Sequence, residues 1–414
     1  MRTFTRFMMV ALMLCPFLTS CNSEGEDLIY DGELIERKDI VLTRSEQEMV
    51  TNSNAFAFNL FEKVRDDLAE GKSFMISPLS VTYALGMLNN GADGQTKEEI
   101  CKVLGTDDVE SMNAFCRKMI DESGKLDPST KLSIANAVEV NQNYKLYEEF
   151  IKTTKDYYDA QVENLDFSSP SALKHINDWC AYHTNDLIPT IINELDKDAI
   201  SVLMNAIYFK GIWTNKFDKK DTKKKTFTLG NGKEIKVEMM QQKDQFSLGG
   251  NDACQALSLP YGNMAYSLTI LLPNEGKNIQ DVLKSIDRKN WRKSLNMYGQ
   301  TVEVKIPSFK TESKFNLEDI LPSMGMPSAF SNKADFSKFC TKPASISKVV
   351  QKSYIEVNEE GTEAAAVTII EMVNAGSPTS IPQIPVFNAD HPFVYIISEV
   401  STNTIFFIGE YNGG

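Results

Sequence analysis

The chain of 414 residues carries 43 Lys and Arg against 56 Asp and Glu, a formal net charge of −13. That acidity repels phosphate backbones and excludes nucleic acid as a partner. With three histidines, no G-x-S-x-G, no phosphate-binding loop and no G-x-G-x-x-G after a strand, the sequence lacks an enzyme's usual nucleophile–base pair and nucleotide site.

At the N-terminus, Arg2 and Arg6 precede an apolar run over residues 7–18, the layout of an export signal. The run is too short for a bilayer span, which needs about 20 residues. It ends in Leu18-Thr19-Ser20-Cys21, which resembles the lipobox of a bacterial lipoprotein. Residues 1–20 are therefore read as a removable signal peptide, and their loss, two arginines and no acid, takes the net charge from −13 to −15. The lipobox implies lipidation of Cys21 and anchoring to the bacterial outer membrane, at the cell surface, with a periplasmic or secreted protein as the alternative. Contact with membrane is expected through the lipid alone. Residues 21–48, polar and acidic, read as a tether, and folding is expected to start near Asn54 within a single domain over 49–414.

Phe56, Leu60, Phe61, Val64 and Leu68 recur at helical spacing. Ser77-Pro78 then supplies an N-cap and a first-turn proline for a second helix, stopped by Asn89-Asn90-Gly91. Thr96 with Glu99 reads as a capping box for a third. Leu132, Ile134, Val138 and Val140 alternate as one face of a strand, and helical spacing resumes over 150–158 and 172–192. Residues 202–213 are almost continuously apolar, as a strand covered on both faces would be. Strands then dominate, at 257–259, 266–272, 302–306 and 353–357, closing with a hairpin over 393–398 and 404–409. Helices first and strands later predict an α+β fold with large, mainly antiparallel sheets.

Beyond Cys21, five cysteines, Cys101, Cys116, Cys180, Cys254 and Cys340, are scattered without a C-x-x-C pair and read as buried thiols. Cys180 and His183 stand three apart on a helix, but two ligands do not make a metal site, so no metal or cofactor is expected. The Lys219, Lys220, Lys223, Lys224, Lys225 cluster reads as a solvated charged turn, with a heparin-like site as the alternative.

The segment Glu359-Glu360-Gly361-Thr362-Glu363-Ala364-Ala365-Ala366-Val367-Thr368 resembles the hinge of a serpin reactive loop, and Phe387-Asn388-Ala389-Asp390-His391-Pro392-Phe393 resembles that family's C-terminal signature. The likeness extends to Ser77-Pro78-Leu79-Ser80, to residues 205–211 with Trp213, to Ala334-Asp335-Phe336-Ser337 and to Ile346-Ser347-Lys348-Val349-Val350. It implies a serpin fold of three β-sheets and about nine helices, with an exposed reactive-centre loop at about 359–386. It also implies a monomer that acts as bait rather than as an enzyme. The target is a serine protease, trapped as a covalent complex when the cut loop inserts into the largest sheet, with cysteine proteases as a further class. The alternative is a non-inhibitory member, a binding scaffold or slow substrate.

Insertion as a central strand requires a backbone donor at every residue and one face that can enter the core. No proline occurs over 361–374, and Thr362, Ala364, Ala366, Thr368, Ile370 and Met372 form a small or apolar row, with Glu363 and Glu371 on the opposite face. Those fourteen residues span roughly 46 Å when extended. Glu-Ala-Ala-Ala alone would read as helix propensity, but the β-branched run over 367–370 opposes that. Family spacing from Glu359 puts the reactive bond between Ala375 and Gly376, with Met372, Val373 and Asn374 leading to it. A loop of different length would move the bond among 372–374. A small uncharged bait suits elastase-like pockets, and no Lys or Arg stands in 361–385 to suit trypsin-like ones. The resemblance also assigns Ser77, Ser80, Asn205 and Trp213 to the latch over the family's central strands, with Gln351 where a His usually stands. An amide can donate and accept as neutral imidazole does, but it does not titrate.

Overall fold

The computed structural model describes residues 36–69, 71–106, 108–362 and 384–413. The signal segment, Cys21 and the first part of the tether lie outside the described residues, as do Glu363, Ala364, Ala365, Ala366, Thr368, Met372, Val373, Asn374, Ala375 and Gly376.

Helix α1 (Arg44–Asp67) begins earlier than the apolar spacing indicates. Thr43 closes a capping box with Glu46, Ile40 is buried, and the Ile40 amide donates to Ser401 Oγ at 3.0 Å. The expected tether is thus too long: by Ile40 the chain already belongs to the body, because polar residues around one buried isoleucine mask its role. Strand β1 (Phe74–Ile76) leads to α2 (Pro78–Asn89), capped by Ser77, then α3 (Gly94–Leu104) and α4 (Val109–Ser123). The expected Thr96–Glu99 box is absent. Asp93 stands at the N-cap, while Thr96 Oγ1 accepts from the Asp335 amide (2.9 Å) and Glu99 takes the amide and hydroxyl of Ser328 (2.9 and 2.8 Å). A local cap motif has been diverted to long-range contacts.

Strand β2 (Lys131–Asn141), α5 (Glu148–Tyr158), β3 (Gln161–Leu165) and α6 (Pro170–His183) follow. The helix expected to reach residue 192 stops at His183, where Asn185 and Asp186 adopt positive φ. Then come β4 (Ser201–Ile212), β5 (Lys223–Thr228), β6 (Glu234–Gly250), β7 (Cys254–Tyr261), β8 (Tyr266–Pro273) and α7 (Ile279–Ser285). Strands β9 (Tyr298–Pro307) and β10 (Phe309–Asn316) precede α8 (Ile320–Met324). The chain closes with β11 (Val350–Val357), β12 (Gly361–Thr362), β13 (Val386–Asn388), β14 (Phe393–Glu399) and β15 (Ile405–Tyr411).

The strands join in two hydrogen-bonded networks. One runs β1-β15-β14-β8-β7-β6-β9-β13, with β5 also on β6. The 17-residue β6 pairs with β5 at its start and with β7 over its last four residues, so two of the three expected sheets share a strand. The other network runs β10-β11-β12-β4-β2-β3. Its strand β4 is apolar on both faces, yet Val202, Leu203 and Ile207 are only half-buried. They line a cavity of about 860 Å³ between β4 and β11, beneath α2 and α6. The main core lies between the two networks and α1 to α5, whereas α6 has its own small core of Ile176, Trp179 and Cys180 against Ala137, Met204 and Ala206.

Candidate functional site: the hinge between two central strands

Among the described residues, β12 is the only element linking β4 to β11. It exists because Asn358 makes a tight turn: its amide donates to the Gly361 carbonyl (2.9 Å) and its Oδ1 accepts from the Glu360 amide (3.0 Å). The chain leaving β11 is thereby folded back antiparallel, with Thr362 opposite Val357 and Gly211, and Gly361 opposite Ile212. Gly361 has φ of 152°, and a Cβ there would lie 2.2 Å from the Gly211 carbonyl oxygen and 2.7 Å from Ile212 Cα. Only glycine permits this approach. Thr362, buried, shares a 2.7 Å hydrogen bond with the Tyr261 hydroxyl.

Further contacts fasten the turn to the end of β4. Trp213 stacks on Tyr261 (4.5 Å between centroids), its indole N–H donates to the Asn358 carbonyl (2.8 Å), and its amide donates to the Glu360 carbonyl (2.9 Å). The Phe217 amide donates to the Glu359 carbonyl (3.0 Å), and Thr222 Oγ1 to the Glu359 carboxylate (2.6 Å). Glu360 pairs with Lys216 (3.0 Å) and Lys219 (3.5 Å). Burial pushes the Glu360 carboxyl up, but these two cations outweigh it and hold it below the usual carboxylate range. Part of the basic cluster therefore serves the hinge. Lys220 and Lys224 instead make surface pairs with Asp218 and Glu238, each at 3.8 Å.

In the cavity lining, Gln351 Nε2 donates to the Ser77 carbonyl (2.7 Å) and its Oε1 accepts from the Ser77 amide (3.3 Å). Ser77 Oγ donates to the Phe406 carbonyl (2.9 Å) and accepts from the Ser80 amide (3.3 Å). Ser77, Ser80 and Gln351 thus stand together, with one amide doing both jobs of a donor and an acceptor. Asn205 does not join them. Its Nδ2 turns to Asn136 Oδ1 (2.8 Å) and the Ala135 carbonyl (3.2 Å) on β2, and its buried Oδ1 has no hydrogen-bond partner. All four residues line the cavity, but from opposite walls. Trp213 sits at the hinge rather than with this group.

Cys180 is buried at the cavity wall, where burial pushes its thiol up to about 11, and His183 lies against Trp179 (4.4 Å between centroids). Neither gathers further ligands among the described residues. Sequence reasoning missed Tyr261, Asn358, Lys216 and Gly211. Tyr261 comes from a strand about a hundred residues away and carries no local signal, but the Asn-x-x-Gly spacing of residues 358–361 is a turn pattern that was there to be read.

A two-residue strand is thus paired between β4 and β11, beside a cavity that those two strands flank. Residues 51–413 match the family model described as Serpin (serine protease inhibitor). Leukocyte elastase inhibitor A of Rattus norvegicus is 34% identical over 380 residues, covering 87% of this chain and 98% of the relative. In three dimensions the chain is similar to the thermophilic serpin tengpin in its native state, with TM-score 0.81, 29% identity and coverage of 92% and 98%. It is also similar to human thyroxine-binding globulin complexed with thyroxine, with TM-score 0.79, 28% identity and coverage of 88% and 98%. The chain belongs to the serpin family, whose members are generally protease inhibitors rather than catalysts.

Proposed function

We propose that this serpin is a suicide-substrate inhibitor of elastase-like serine proteases. The observation that carries the reading is Gly361–Thr362, near the start of the loop, already paired between β4 and β11. In this scheme the protease serine attacks the Ala375 carbonyl carbon, the bond to the Gly376 nitrogen breaks, and the amine leaves with a proton from the protease. The ester that remains ties the loop to the protease. Continued pairing from Thr362 onward carries the ester away from the Gly376 stump before water can hydrolyse it. The similarity to an elastase inhibitor and the absence of Lys and Arg over 361–385 support the choice of protease class. Incubation with pancreatic elastase should give a complex stable on a denaturing gel, with a released peptide starting at Gly376. Cleavage without a complex would refute the inhibitory reading.

A second reading, a ligand-carrying serpin, has in its favour the cavity between β4 and β11 and the likeness to thyroxine-binding globulin. It predicts cleavage without a complex. For location, we read Cys21 as lipidated and the body as displayed at the outer membrane of a bacterium. Cys21→Ser should release the protein from membranes, and unchanged retention would refute the anchor.

A further inference from the structure

Away from the hinge, three side chains from three elements meet at the edge of α6. Glu139 on β2 and Glu163 on β3 are direct cross-strand neighbours, a placement that sets two like charges side by side. His175 on α6 lies over them, its Nε2 at 3.5 Å from Glu139 Oε1 and 3.5 Å from Glu163 Oε2. Those separations are too long for hydrogen bonds. The Glu139 side chain is 1% exposed, yet neither of its carboxylate oxygens has a hydrogen-bond partner, nor does His175 Nε2. An ionised carboxylate buried without a partner is among the costliest placements in a protein interior. Burial, opposed by His175 and reinforced by Glu163, holds the Glu139 carboxyl above the usual carboxylate range.

The geometry points to a divalent transition-metal site, best suited to Zn²⁺, formed by Glu139, Glu163 and His175. One ligand atom from each of the three lies within 4.8 Å of the others. Zinc bonds of about 2.0–2.2 Å in a tetrahedron set ligand atoms roughly 3.4 Å apart, which matches the two 3.5 Å separations with little movement. One imidazole and two carboxylates suit zinc better than Mg²⁺ or Ca²⁺, which favour all-oxygen shells of six or more. His175 Nε2 and both Glu139 oxygens are buried, whereas the Glu163 side chain is 49% exposed, so an ion would enter from the Glu163 side. No sequence motif announces the site, because its ligands come from two strands and a helix.

The position gives the ion a purpose. Ile176, Trp179 and Cys180 of α6 line the same cavity that β4 and β11 flank, so a strand added there runs against this helix. An ion that ties α6 to β2 and β3 holds the helix down and slows insertion. This regulatory step rests on the inhibitory reading, whereas the metal site does not. The test uses the untagged protein with Zn²⁺, measured by competition against a chromogenic chelator and by thermal melting. One ion per chain and a raised Tm are expected, with Mg²⁺ inert at the same concentration. Glu163→Gln and His175→Gln, on partly exposed side chains that leave the fold intact, should each weaken binding at least tenfold. No stoichiometric binding, or binding unchanged in both variants, overturns the site. For regulation, zinc should slow formation of the covalent elastase complex by wild type but not by His175→Gln. Equal rates with and without bound zinc overturn the regulatory step. A protein that binds zinc but never traps protease refutes the inhibitory reading and leaves the site standing.

Discussion

Replacing Thr362 by arginine tests whether the hinge works by burial. The Thr362 side chain is buried and shares a 2.7 Å hydrogen bond with the Tyr261 hydroxyl beneath the Trp213 ring. A guanidinium in that position would sit against stacked aromatic rings without a carboxylate, and the effective penalty for an unpaired buried ion is several kcal/mol. Loss of the Tyr261 partner adds about 1–3 kcal/mol. The native body avoids the cost of the buried ion by releasing the two-residue β12, which also lets water reach the Tyr261 hydroxyl, so the variant should fold and melt close to wild type. The cost returns when the loop inserts, since Thr362 leads the inward row. A barrier raised by about 3–4 kcal/mol slows insertion by roughly two to three orders of magnitude. Hydrolysis of the acyl-enzyme then wins, and Thr362→Arg should be cut at the normal rate but released as a substrate. The assay is the ratio of covalent complex to cleaved product on a denaturing gel with excess inhibitor. An unchanged ratio would refute insertion through this hinge.

Gly361→Ala should act similarly through the backbone, because its Cβ would meet the Gly211 carbonyl oxygen at 2.2 Å. Faster hydrogen exchange at the amides of Trp213, which bonds Glu360, and of Phe217, which bonds Glu359, would report the loosened hinge. Glu360 predicts a pH dependence: its carboxyl is held below the ordinary glutamate value, so its pairing stabilises the docked hinge fully above that value and is lost as pH falls through the lower folded value. Hinge exchange should therefore accelerate only below about pH 4.5, and Glu360→Gln should remove that step. Ala375→Arg should shift reactivity from elastase to trypsin, whose buried carboxylate an apolar bait leaves unpaired. An arginine variant no better against trypsin would show that the reactive bond lies elsewhere.

The fold was legible where it rests on local chemistry. Ser77-Pro78 caps α2 as its residue types require, and the strand expected at 353–357 is part of β11. What could not be read is what distant segments impose. Thr96 and Glu99 have the spacing of a capping box, but partners around Asp335 and Ser328, more than two hundred residues away, draw them off. Thr362 was legible as the first inward residue from its place in the row, whereas Tyr261, which receives it, was not. Asn205 was assigned beside Ser77 and Gln351 by family likeness. In the structure the cavity lies between them, and Asn136 provides the nearer partner.

The measurement that bears most directly on the central claim is the thermal stability of the protein before and after its loop is cut by a protease it does not trap. If residues from Thr362 onward insert between β4 and β11, the new strand gains a hydrogen-bonded ladder on both sides and fills the cavity. Tm should then rise sharply, and Thr362→Arg should blunt the rise. A cleaved wild-type protein that melts where the intact one does would contradict the account.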